Sequence, residues 1–140
     1  MHSLLHDGIV SAIAVSCVFH YSVFACLSRV VTHPTKAVET RNRIVSSVHA
    51  IICSAAVLMS LALFSEPELW SPASLILGRG ISEAYLLYIR LTVSFSVGYF
   101  LSDSIIMLRH KSVYSFDAML HHAIVLPSML IALATNVSFV

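Results

Sequence analysis

Apolar residues run in long, unbroken stretches along this chain, and neither a strict two-residue nor a strict 3.6-residue alternation divides them. Four stretches are long enough to cross a bilayer: Gly8 to Ser28, Ile44 to Phe64, Leu86 to Leu108 and Ala118 to Val137. A helix needs about 20 residues to span roughly 30 Å of hydrocarbon. Strands of a membrane barrel are about 10 residues long with alternating polarity, so these runs predict helices. The polar positions between them set the loops. Pro67, Pro72, Gly78 and Gly80 break the long second loop, Ser65 to Tyr85. The third loop, Arg109 to Asp117, is short and predicts an antiparallel hairpin of the last two spans. Pro127 removes one backbone donor from the fourth span and predicts a kink there.

Composition agrees. Of 140 residues, 58% are hydrophobic and 11% charged, and the mean hydropathy is +0.88. A typical soluble domain is about 25% charged. The expected fold class is therefore all-α, a multi-pass transmembrane helical bundle in one domain. A net charge of +1 without a basic cluster excludes a nucleic-acid partner. The three cysteines, Cys17, Cys26 and Cys53, form neither a disulfide framework nor a zinc pattern. They read as apolar fillers, with Cys26 near a span end as an acylation candidate. The first span has no basic start, and its core is too long for a cleaved signal, so it is expected to be retained.

Lys and Arg set the orientation. The first loop holds Arg29, Lys36, Arg41 and Arg43, and the third holds Arg109 and Lys111. Both should face the cytosol, with the termini and the second loop opposite. Trp70, Tyr85 and Tyr88 suit an interfacial belt. Two stripes of small residues predict close helix packing: Ser94, Gly98 and Ser102 in the third span, and Ser46, Ala50 and Ser54 in the second.

Ionisable groups inside spans are costly. His49, Asp103, His121 and His122 fall within about 6–9 Å of the cytosolic ends of their helices, at 1.5 Å per residue. His20 falls deeper, at about 13 Å. Across the hairpin, Asp103 should face His121 or His122 within about 4 Å, the limit of a charged contact. His49 should line the same cavity. Such a pair serves as interhelical glue or as a base oriented by a carboxylate. Metal binding is not expected, because adjacent histidines do not converge on one ion. The glycine-rich, nucleophile-elbow and Cys-x-x-Cys motifs of soluble enzymes are lacking, and no cofactor is expected.

Three segments carry a family resemblance: Arg41-Asn42-Arg43-Ile44-Val45-Ser46-Ser47-Val48-His49-Ala50, Gly98-Tyr99-Phe100-Leu101-Ser102-Asp103, and Phe116-Asp117-Ala118-Met119-Leu120-His121-His122. With Leu69-Trp70-Ser71-Pro72 between them, their order resembles the TLC-domain membrane proteins over residues 41–136. That family includes ceramide synthases, translocating-chain-associated proteins and uncharacterised proteins of lipid homeostasis. The loops look closest to the last group.

The resemblance implies a six-helix bundle around a lipid-accessible cavity, of which this chain holds about four helices. It implies a lipid-homeostasis protein of the endoplasmic reticulum or another endomembrane, binding or sensing membrane lipid. The alternative is an N-acyltransferase of ceramide-synthase type acting on acyl-CoA and a sphingoid base, or an inactive truncated form of one. In that case His121 or His122 is the catalytic base, oriented by Asp103. His49, Ser46, Ser102 and Asn136 are the expected cavity lining. Asn136 keeps the family's spacing after His122, whereas Phe139 stands where ceramide synthases carry Arg. An open bundle of this kind is expected to self-associate.

Overall fold

The computed structural model describes residues 2–33, 36–64 and 82–135, with side chains described from Gly8 to Ala134. Four helices follow one another: α1 (His2–Leu27), α2 (Ala37–Leu63), α3 (Glu83–Arg109) and α4 (Phe116–Thr135). All four are long and apolar enough to cross a membrane. The fold is an all-α, multi-pass bundle. The Pro- and Gly-bearing second loop, Trp70 and Asn136 lie outside the described residues.

Helix ends follow local chemistry. Ser82 caps α3 by accepting from the Tyr85 N–H at 3.3 Å, with Glu83 in the first turn and Arg109 in the last. These charges complement the helix dipole at both ends. Ser115 accepts from the Ala118 N–H at the start of α4, where Asp117 lies in the first turn. α2 begins at Ala37, a turn and more before the apolar run at Ile44. Its added turns carry a Glu39–Arg43 pair at 2.7 Å, four residues apart in the favourable order. α4 continues through Pro127.

α3 is the hub. It packs against each of the other three helices, and among the described residues α4 touches α3 alone. In its most apolar window 44% of residues are buried, against 6% in α2 and 11% in α4. The α1–α3 interface is the most extensive. Its crossing is set by the predicted small-residue stripe. A Cβ on Gly98 would lie 2.5 Å from the Ile13 carbonyl oxygen and 2.5 Å from Ser16 Cβ. No side chain fits, so glycine is what permits the approach. Ser94 and Ser102 of the same stripe are fully buried. The Ser16 hydroxyl crosses to the Phe95 carbonyl, satisfying its donor inside the bundle.

The second predicted stripe packs only at Ser46. Ala50 and Ser54 are exposed. α2 instead turns Val45, Ser46, His49 and Cys53 towards α3. These residues recur at one-, three- and four-residue steps, as a helix face requires, and bring larger side chains to the contact. Val45 joins Phe24, Tyr99 and Ile106 in the apolar core. Tyr88 fastens the far end of this interface by donating to the Ala56 carbonyl at 2.7 Å.

Candidate functional site

The sequence-predicted residues divide into two groups on different sides of α3. Asp103 and His122 meet across the α3–α4 hairpin, with Asp103 Oδ2 3.4 Å from His122 Nε2. Both residues are 6% exposed. The separation is that of an ion pair rather than of a tight hydrogen bond. His121, about 100° round the helix from its neighbour, is exposed and makes ring contacts with Phe100 and His122.

A third residue fixes the proton inventory. Ser104 Oγ lies 2.7 Å from the Phe100 carbonyl and 3.0 Å from His122 Nδ1. A hydroxyl has one proton. Given to the carbonyl, it leaves Oγ to accept, so His122 Nδ1 carries hydrogen. His122 Nε2 then faces Asp103 either as the donor of an imidazolium to a carboxylate or as the acceptor from a carboxylic acid. Both arrangements hold one proton between the two side chains. Asn42 of α2 also approaches the carboxylate. Asp103 Oδ1 and Asn42 Oδ1 are buried acceptors with no partner.

His49 does not join this pair, contrary to the expectation from its depth. It stacks on Tyr99 at 4.0 Å and 8° between rings, packs on Phe95, and contacts Cys53 Sγ at 3.5 Å. The physical reason is the face: depth along a helix does not fix azimuth, and Tyr99 and Phe100 stand between His49 and α4. Phe100 touches both His49 and His122 edge-on, at 6.3 and 4.9 Å, and so walls one group from the other. Ser46 holds the Tyr99 hydroxyl at 2.9 Å. Ser102 is fully buried and returns its hydroxyl to its own helix at the Tyr99 carbonyl. Neither serine faces the Asp103–His122 pair in its hydrogen bonds. Asn136 lies outside the described residues.

His20, expected to sit deeper than the belt, packs against His49 and Tyr99 with ring centroids 5.4 and 5.2 Å away. It is fully buried, and its Nδ1 donates to the Ser16 carbonyl at 2.8 Å. Nε2 therefore keeps its lone pair, enclosed and without a partner. Sequence reasoning missed Ser104 and Asn42. Ser104 follows Asp103 directly and could have been found, since residues i and i+1 of one helix flank the same groove. No described group of three or more His, Cys, Asp or Glu side chains is arranged to hold a metal ion.

The family model for the TLC domain matches residues 39–139, which takes in α3, α4 and all but the first two residues of α2. The chain belongs to the TLC-domain family. No curated protein and no solved structure matches it. The matched segment contains the Asp103–His122 pair, whereas α1 and His20 precede it.

Proposed function

We propose that this TLC-domain protein takes part in lipid homeostasis by binding a membrane lipid through a hydroxyl or amine of its head, at the Asp103–His122 pair. The observation that carries the reading is the buried Asp103 Oδ1, an acceptor with no partner, on a carboxylate whose other oxygen lies 3.4 Å from the His122 imidazole. An unpartnered polar atom in an apolar interior costs about 1–3 kcal/mol. A lipid O–H or N–H donor removes that cost, and water-poor surroundings strengthen the contact. The lipid class is one with a free hydroxyl or amine next to long chains, such as a sphingoid base.

A second reading is favoured by the same three side chains. His122, held by Ser104 at Nδ1, can take a proton only at Nε2, so an amine reaches it by entering beside the Asp103 carboxylate that lies 3.4 Å away. Acyl transfer from acyl-CoA to a sphingoid amine needs such a base to take the amine proton. Photo-crosslinking separates the two. A clickable sphingoid base should label the α3–α4 hairpin in membranes, and Asp103→Asn should cut that labelling several-fold without loss of protein. Labelling that is indifferent to Asp103 refutes both readings. Formation of N-acyl product with acyl-CoA, abolished by His122→Ala, decides for the transferase.

We further propose that the protein resides in the endoplasmic reticulum or a related endomembrane, as the family resemblance implies, with the α1–α2 and α3–α4 loops in the cytosol, an orientation that the excess of Lys and Arg in those loops supports. A cysteine at Ala37 or Ser112 should be labelled by an impermeant reagent from the cytosolic side, and one at Ser74 from the opposite side. Labels on the reverse faces invert the topology.

A further inference from the structure

On the side of α3 away from α4, a groove of about 280 Å³ runs between α1 and α3, lined by Cys17, Val18, Tyr21, Ser22, Ile105 and Arg109. The two helices meet at Gly98 and Ser16 and stay packed towards the loop end through Phe24 and Ile106, and the groove lies along the flank of that contact. Val18 is 65% exposed and Ile105 40%, so its outer side faces the bilayer. At the loop end the groove changes character. Arg109 Nη1 donates to the Tyr21 hydroxyl at 2.8 Å, and the guanidinium sits over the Tyr21 ring at 5.8 Å. Tyr21 thus holds Arg109 at the mouth. A guanidinium has five N–H donors in a planar fork, so most remain for an anion. No carboxylate lines the groove, and Arg29 and Lys111 are exposed at the same end of the helices.

We propose that this groove is a binding site for an anionic phospholipid. Its phosphate is held by Arg109 with Tyr21, and one acyl chain lies on Cys17, Val18 and Ile105. A fixed positive fork above an apolar channel matches the order of groups in such a lipid, and the planar guanidinium suits phosphate oxygens in pairs. A zwitterionic lipid brings its own cation to the same place and gains less. The site uses α1, which precedes the family-matched residues, and is independent of the reading of the Asp103–His122 pair.

Native mass spectrometry of the purified full chain tests it. Phosphatidic acid, phosphatidylserine and phosphatidylcholine of one acyl composition are offered in turn. The anionic lipids should be retained over phosphatidylcholine by about fivefold, the ratio expected of one basic residue near an anionic lipid. Arg109→Gln should abolish the preference, and Arg109→Lys should keep part of it. Ile105→Trp, which fills the channel, should reduce retention of every lipid. Asp103→Asn should leave the preference unchanged, which separates this site from the hairpin pair. Soluble glycerol phosphate should not displace the lipid. Displacement would assign the site to free phosphate esters, and an unchanged preference in Arg109→Gln would overturn it.

Discussion

On the side of α3 that meets α1 and α2, His20 and His49 are boxed by Phe95 and Tyr99. Ring centroids there lie 4.0 to 5.8 Å apart. On the side that meets α4, His122 meets Phe100 edge-on, touches its neighbour His121, and turns its nitrogens to Ser104 and Asp103. Both sides contain a buried polar atom without a partner, His20 Nε2 and Asp103 Oδ1. They differ in what covers them. Two helices close over His20, which is wholly buried, whereas over the pair α2 brings only Asn42 to the Asp103 carboxylate and α4 meets α3 alone. Polar groups in the crowded half are therefore consumed in holding helices together. In the other half Asp103 Oδ1 stays without a partner, and the proposed lipid contact rests on that atom.

The strongest way to break this comparison is to attack the crowded crossing. Gly98→Leu forces a side chain where even a Cβ would meet the Ile13 carbonyl and Ser16 at 2.5 Å. Backbone cannot yield as a flexible side chain can. We expect a loss of about 3 kcal/mol, the upper end for overpacking, read as a lower thermal midpoint in detergent. A variant as stable as the parent would show that α1 does not dock through this stripe. It would also withdraw the account of the groove beyond it.

Next in size is His20→Ala. It empties a fully enclosed site between four rings and removes the bond to Ser16. Cavity formation in a core costs about 2 kcal/mol or more. His122→Ala should cost less, since α4 has fewer neighbours to lose. Paired unfolding curves check the ranking. If His122→Ala proves the more damaging of the two, the crowded half is not the structural one.

The same contrast explains what the sequence reveals and what it hides. Span number follows from hydrophobic run length alone, because lipid leaves helices as the one local solution. The Ser94–Gly98–Ser102 stripe was legible because close approach needs small residues, and the Asp103–His122 contact because a short hairpin places equal depths side by side. Azimuth was not legible. His49 shares the depth of Asp103 but faces Tyr99, and Ala50 and Ser54 turn outward although their spacing resembles the packed stripe on α3. Depth comes from counting residues; facing is decided by the neighbours, which are non-local. His20 illustrates the same limit: Ser16 and Phe19 are local, but His49, Phe95 and Tyr99 come from α2 and α3, and nothing near it in sequence announces them.

The smallest expected effect is the most direct test of the open half. In a double-mutant cycle with Asp103→Asn and His122→Ala, coupling measures what the pair contributes beyond each residue alone. Polar couplings between membrane helices average about 0.6 kcal/mol. The 3.4 Å separation, long for a charge-assisted bond, argues for a value no larger. Ser104→Ala should behave differently. It removes the acceptor from His122 Nδ1 and frees the imidazole to change tautomer or rotate, so it should weaken lipid labelling at the hairpin while barely moving the thermal midpoint. A coupling of several kcal/mol would make the pair a structural clamp of the kind found on the other side of α3. A ligand role for its open carboxylate oxygen would then lose its support.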